Sequence, residues 1–265
     1  MKIRTRRWLG LSLMALTFFG IAWSLTQPLP YVILGPGPAF NVLGSNSGKD
    51  IIQVSGVPVD PTPGSLDLLT VSAYGVPGNT PNLFELLRAM FSTDQVVYPI
   101  QEVFPTGKTL KQLYDADLRD FQTSEAAAIS AAKAEIPAAT AQAAQVKLSL
   151  DNVGGPSGGL MFTLGIIDKT TVGSLTGGKR IAGTGTISAG GVVGPIGGIR
   201  QKLISAARAG DQYFLAPKDN CDEVTGHIPS SLRVFSVTNL TDALNALRVI
   251  ASDGDLSVLP VCSRQ

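Results

Sequence analysis

A serine hydroxyl becomes a useful nucleophile when the substrate backbone can reach it, when nearby N–H groups can take up negative charge, and when a base is at hand. Residues 154–160, Gly-Gly-Pro-Ser-Gly-Gly-Leu, supply the first two conditions around Ser157. The Gly/Pro turn runs into an apolar segment that predicts a buried helix from Ser157 to about Asp168. Ser157 would then take a cap position, beside N–H groups that lack intrahelical partners. The positive end of the helix dipole favours a developing oxyanion there. An N-cap serine ahead of a core helix reads the same way, and this segment alone does not choose between the two.

The base is the harder question. His227 is the single histidine of the chain, so a Ser-His-Asp triad would rest entirely on it. A lysine serves instead when burial disfavours its ammonium form. In a helix predicted over Ile199–Ala209, Ile199, Lys202, Leu203 and Ala206 fall on or beside one face, while Gln201, Ser205 and Arg208 fall on the other. Lys202 is thus the charged group of that helix directed toward the core, although a lysine at an apolar edge commonly snorkels to solvent. Cys221 with His227 is a second nucleophile–base pairing. Ser130-Ala131-Ala132-Lys133 fits the S-x-x-K pattern, but it lies in an Ala-rich helix and has neither an S-D-N nor a K-T-G partner.

Taken together the segments are more specific than either one. Gly155-Pro156-Ser157-Gly158-Gly159, then Gly183-Thr184-Gly185-Thr186-Ile187, then Gly194-Pro195-Ile196-Gly197-Gly198-Ile199-Arg200-Gln201-Lys202, resemble the signature of the Lon-type serine peptidase domain in order and spacing. The resemblance covers about residues 146–250. It implies that Ser157 is the nucleophile and Lys202 the general base. Thr184 and Gly158 support them, the threonine hydroxyl helping to hold the lysine. Two positions depart from the pattern: Gly154 and Thr186 stand where many relatives carry aspartate and glutamate. Upstream, Tyr31–Gly44, Gly64–Ser72 and Gln101–Gly107 resemble the front portion of secreted or membrane-anchored Lon-like proteins of Gram-positive bacteria. Those proteins usually carry a PDZ domain where this chain has only a short connection. Lon-type domains often form rings, so a homo-oligomer is implied.

The rest of the composition bounds the setting. A net charge of +1 gives no basic footprint for nucleic acid. One histidine and two cysteines cannot build a metal cluster with ligand spacing, so no metal and no cofactor are expected. Gly107-Lys108-Thr109 lacks the glycine a phosphate loop needs five residues earlier, where Glu102 stands, and Gly48-Lys49 is followed by Asp50; no ATP site is readable. Lys2, Arg4, Arg6 and Arg7 precede an uncharged apolar run from Trp8 to about Leu25, long enough to cross a bilayer with the basic end in the cytoplasm. A cleavable signal peptide is the competing reading; either one places the bulk of the chain outside the cytoplasm. In that oxidising setting Cys221 and Cys262 read as a disulfide.

The expected organisation is a cytoplasmic basic segment (1–7), a transmembrane anchor (8–26), an extracytoplasmic α/β segment packing on the peptidase unit (27–134), a linker at the PDZ position (135–145), a Lon-type domain (146–252) and a tail (253–265). Strands are predicted at Tyr31–Leu34, Ile51–Val54, Leu66–Val71, Gln95–Pro99, Val146–Leu150, Arg180–Ser188, Tyr213–Ala216 and Val234–Val237. Helices are predicted from Asn82, over about 109–132, from Ser157, over 199–209 and over 240–250. Alternating strands and helices imply an α/β (α+β) fold with a mixed sheet. The expected function is an ATP-independent serine endopeptidase of the cell membrane, with a Ser-Lys dyad acting on extracytoplasmic or membrane polypeptides. The alternative is a non-catalytic membrane-anchored scaffold that keeps the same fold.

Overall fold

Parallel strands need helical crossovers, and the chain alternates accordingly. The computed structural model describes residues 2–59, 63–105, 107–150 and 153–262, the side chains of residues 2–7 and 9 excepted. The elements run α1 (Lys2–Leu25), β1 (Tyr31–Asn41), β2 (Ser45–Asn46), β3 (Lys49–Asp50), β4 (Ile52–Ser55), β5 (Ser65–Tyr74), α2 (Leu83–Met90), β6 (Val96–Pro99), α3 (Ile100–Val103) and α4 (Leu110–Glu135). There follow α5 (Ala138–Ala143), β7 (Gln145–Leu148), α6 (Gly159–Thr170), β8 (Arg180–Gly183), β9 (Thr186–Ile187), β10 (Val193–Gly194), α7 (Ile199–Ala209), β11 (Tyr213–Pro217), α8 (Cys221–Val224), β12 (Arg233–Val237) and α9 (Leu240–Ala251).

The chain divides into two compact units. The first comprises residues 1–35 and 73–110. In it the start of β1 pairs antiparallel with β6, Tyr31 opposite Pro99. Asn82 caps α2 by accepting from the Glu85 N–H, while the Glu85 carboxylate accepts from the Asn82 N–H, both at 2.9 Å. Along α1 the side chains of Trp8, Leu11, Leu13, Phe18, Phe19 and Trp23 are exposed. Among the described residues no helix is long and apolar enough to cross a membrane, so the fold lends no support to the span expected at 8–26. The basic side chains of residues 2–7 lie outside those described.

The second unit comprises residues 36–72 and 111–265. Its sheet runs β12-β11-β8-β5-β1. The β12–β11, β11–β8 and β8–β5 pairs are parallel, and these strands are buried on both faces, as parallel strands are. Alternation along them sends side chains to two different cores. Ile181, Leu215 and Phe235 join Leu160, Phe162, Leu164 and Leu247 on one face. Ala182, Phe214, Ala216 and Val234 join Ile199, Leu203 and Ala206 of α7 on the other. The sheet therefore separates α6 from α7, and a site shared by the two can form only beyond a strand end. β4 pairs with β7, Ile52 opposite Leu148.

Two expectations about the elements need correction, and the place of α4 adds a third observation. The segment 180–188 is two strands: β8 ends at Gly183, and β9 turns away to pair with β10. The reason is local, since the Thr184 N–H still donates to Leu215 O whereas the Gly185 N–H turns to Ser157 O. Gln201 and Ser205 are buried rather than on an open face, and the Ser205 hydroxyl donates to Gly37 O. Finally, α4 belongs to the second unit almost entirely. Its Phe121, Ser124, Ala128, Ala131 and Ala132 are buried, with Phe121 edge-on to Phe162 at 5.9 Å between ring centroids.

Candidate active site

The turn before α6 places Ser157 at the carboxyl end of β8. Gly158, not Ser157, is the residue at the helix cap, so the serine stands one position ahead of it. Both following glycines are demanded by close approach. A Cβ on Gly158 would sit 2.5 Å from Leu68 Cδ1, and one on Gly159 would sit 2.7 Å from Ser124 Oγ and 2.8 Å from Ile187 Cγ2. The turn is held from both sides: Gly185 N–H donates to Ser157 O at 2.9 Å, and Ser124 Oγ donates to Pro156 O at 3.0 Å. Among the described residues, the N–H groups of Ser157 and Gly158 have no acceptor. They are the donors available to an oxyanion at this turn.

Lys202 arrives from the opposite face of the sheet. Gly198, with φ of 68°, lets the 194–198 turn reverse into α7, and Lys202 N–H donates to Gly198 O in the first turn. The side chain then reaches past the end of β8. Its Nζ donates to Ser157 Oγ at 2.7 Å and to Thr184 Oγ1 at 3.0 Å. The Thr184 hydroxyl in turn donates to Ser157 O at 3.1 Å. Lys202 is 2% exposed, and no carboxylate hydrogen-bonds or ion-pairs with it among the described residues. Burial alone brings its pKa down to about 7. An amine that is neutral at that pH has a lone pair to accept the Ser157 proton.

The site opens into a cleft of about 670 Å³ whose walls include Phe40, Leu68, Thr70, Phe121 and Gly197. Its walls mix apolar side chains with Asn46, Ser47, Thr70 and Ser72, and its glycines leave room for an extended chain to lie across Ser157.

The structure thus brings Ser157 and Gly158 from the turn before α6, Thr184 from the end of β8 and Lys202 from α7 to one place. It leaves the other sequence candidates apart. Ser130 and Lys133 face elsewhere, with Lys133 Nζ donating to Ala144 O. Cys221 is bonded to Cys262 as a disulfide and is no thiol for His227, which is exposed. No group of His, Cys, Asp or Glu that could hold a metal ion is assembled among the described residues. Gly154 has its own explanation: a Cβ there would lie 3.2 Å from Cβ of Asp117 on α4, so that helix already occupies the space beside it.

Two groups at the site were not singled out from sequence. Ser124 braces the serine turn. Asn220 braces the turn that launches α7, its Oδ1 accepting from Ile196 N–H and its Nδ2 donating to Ile196 O, both at 2.9 Å. Neither lies in a motif or near one in the chain, so no spacing signal marks them.

Comparison with known proteins bears on residues from the end of α4 onward. Residues 131–249 match the family model of the Lon protease (S16) C-terminal proteolytic domain. Among curated relatives, the chain is similar to Lon protease of Azospirillum brasilense, 34% identical over 93 residues, which is 34% of this chain and 11% of that protein. It is also similar to Lon protease of Frankia alni, 36% identical over 108 residues, covering 38% and 12%. Lon protease 1 of Sorangium cellulosum is 36% identical over 93 residues, covering 34% and 11%. The chain thus spans 11–12% of the length of these relatives.

Proposed function

We propose, with the match of residues 131–249 to a Lon proteolytic domain as the premise, that this chain is a serine peptidase working through a Ser157–Lys202 dyad. The observation that carries the proposal is the 2.7 Å contact between Lys202 Nζ and Ser157 Oγ, made by a lysine whose burial brings its pKa to about 7. Neutral Lys202 accepts the proton of Ser157 as Oγ attacks the scissile carbonyl. The free N–H groups of Ser157 and Gly158 stabilise the oxyanion, each such donor typically contributing about 3–4 kcal/mol. Lys202 then protonates the leaving amine, and the ester to Ser157 is resolved when water, deprotonated by Lys202, attacks it. Thr184 holds the ammonium when Lys202 carries the proton and keeps its Nζ aimed at Oγ.

ATP independence and an extracytoplasmic, membrane-attached setting are parts of the same proposal. The first rests on the sequence reading that neither Gly107-Lys108-Thr109 nor Gly48-Lys49 completes a phosphate loop within the residues given. The second is supported by the basic residues ahead of the uncharged run from Trp8 and by the exposed apolar side chains along α1. The substrates would then be polypeptides on the outer side of the membrane.

The test is direct. Ser157→Ala and Lys202→Ala should each abolish peptide hydrolysis and labelling by a fluorophosphonate probe while the far-UV dichroism stays unchanged. Hydrolysis that survives in either variant rules out the dyad. Carbonate extraction of membranes with and without residues 1–26 checks the attachment.

A further inference from the structure

A second groove, of about 860 Å³, opens beside the active-site cleft, and the two share Phe121, Val153 and Gly154 as walls. It runs between α4 and the described residues 148–150, Val153 and Gly154. Gly154 is three residues from Ser157, and three extended residues span at most about 10 Å. An extended substrate lying over Ser157 therefore reaches this groove within roughly three residues of the scissile bond.

The groove has a distinct chemistry. Leu118, Phe121, Leu148 and Leu150 give it apolar walls; among the described residues its charged groups are Asp117 and Glu125, and no lysine or arginine lines it. Glu125 is half-buried and makes no hydrogen bond or ion pair among the described residues. It follows Ser124, the residue that hydrogen-bonds the serine turn at Pro156. The Asp117 carbonyl accepts from the Gly155 N–H at 3.2 Å. α4 is thus fastened to the turn that carries the nucleophile, with Glu125 held at a fixed place relative to it.

A carboxyl left half-buried without a partner is costly in its charged form; burial raises the Glu125 pKa to about 7. The ligand that relieves this cost brings a cation on a stem able to lie along apolar walls. Lysine and arginine side chains have that shape.

We infer that this groove is a substrate subsite for a basic side chain and that Glu125 is its specificity-determining residue. The inference rests on the peptidase reading above and deepens it by naming the substrate class. Residues 110–130 of α4, Glu125 among them, precede the segment matched to the Lon proteolytic domain.

The experiment uses quenched fluorescent peptides of neutral sequence in which a single lysine or norleucine is walked through each position. With the full chain, lysine at one position within three residues of the cut should raise kcat/KM about tenfold over norleucine, the effect of one partly shielded ion pair. Glu125→Gln should bring that ratio close to one, and Glu125→Lys should turn the preference toward glutamate. A ratio near one in the wild type, or a lysine preference that persists in Glu125→Gln, overturns the inference. Binding of the same two peptides to Ser157→Ala, measured by calorimetry, reads the groove without catalysis, and equal affinities there also overturn it. A wild type that cleaves no peptide and takes no fluorophosphonate refutes the peptidase reading instead, while the calorimetric comparison still decides the subsite.

Discussion

Replacing Lys202 by methionine removes the base and also removes a buried charge, and the second effect can be measured without any substrate. Lys202 ionises near 7 in the folded chain against 10.5 for an ordinary lysine. That difference corresponds to about 5 kcal/mol of destabilisation wherever both states are protonated, that is, at and below neutral pH. Between 7 and 10.5 the unfolded chain binds a proton that the folded chain does not. Stability therefore rises with pH across that window, by about 1.4 kcal/mol per pH unit, and the gain is lost again as pH falls toward 7. From pH 8 to 9.5 the wild type should gain about 2 kcal/mol through this one group. Lys202→Met keeps the length of the side chain and loses the titration. It should be more stable than wild type at pH 7 by a few kcal/mol, after subtracting about 1 kcal/mol for each lost hydrogen bond to Ser157 and Thr184. Urea titrations at pH 7, 8 and 9.5 read the effect as a difference between the two proteins, which cancels other titrating groups. The two stabilities should converge as pH rises. If they run parallel, Lys202 is not a depressed, buried base and the proposed proton transfer loses its footing. The kinetic counterpart is an acid limb in kcat/KM near pH 7.

The remaining expectations concern the groups that hold the dyad. Thr184→Val should lower kcat about tenfold with little change in KM, and should move the acid limb to lower pH, because the ammonium form of Lys202 loses the acceptor 3.0 Å away; pH–rate profiles check both effects. The Cys221–Cys262 bond closes a segment with a sequence separation of 41, so the paired Cys221→Ser and Cys262→Ser variant should lose about 4 kcal/mol in denaturant titrations under oxidising conditions. The same variant should keep the active-site contacts, and its fluorophosphonate labelling in the absence of denaturant should match wild type.

Much of this site is legible in the sequence because its glycines are tied to fixed backbone demands. Gly158 and Gly159 are forced by Leu68, Ser124 and Ile187, and Gly198 by a left-handed turn. Such residues recur at fixed intervals around the nucleophile and the base, which is what makes the spacing readable. The helix of Lys202 was equally clear, since the pattern over 199–209 matches α7 from end to end. Illegible were the places where distant chain covers a surface. Nothing near Ser205 says that its hydroxyl will meet the carbonyl of Gly37. The periodicity of 180–188 suits one strand, and only the carbonyl of Ser157, more than twenty residues earlier in the chain, diverts Gly185 from the ladder. The Ala-rich end of α4 looked like the approach to a linker because alanines make a weak hydrophobic signal. In the fold, small side chains let that helix pack closely against α6.

The position of α4 separates two questions that the resemblance alone would merge. The residues that perform the proposed proton transfer, Ser157, Thr184 and Lys202, all lie within 131–249 and share the similarity to Lon proteolytic domains. The residues that brace the serine turn and line its neighbouring groove, Asp117, Phe121, Ser124 and Glu125, lie ahead of it. At Gly154 the two meet, since a side chain there would press on Asp117. A helix that fills the space beside the nucleophile turn, donates to its carbonyl and accepts from its N–H can alter which polypeptide is presented without altering how the bond is broken. On the proposed reading, chemistry and selectivity are separable by mutation. Changes at Glu125 should redistribute preference among peptides, whereas changes at Ser157 or Lys202 should stop all of them alike.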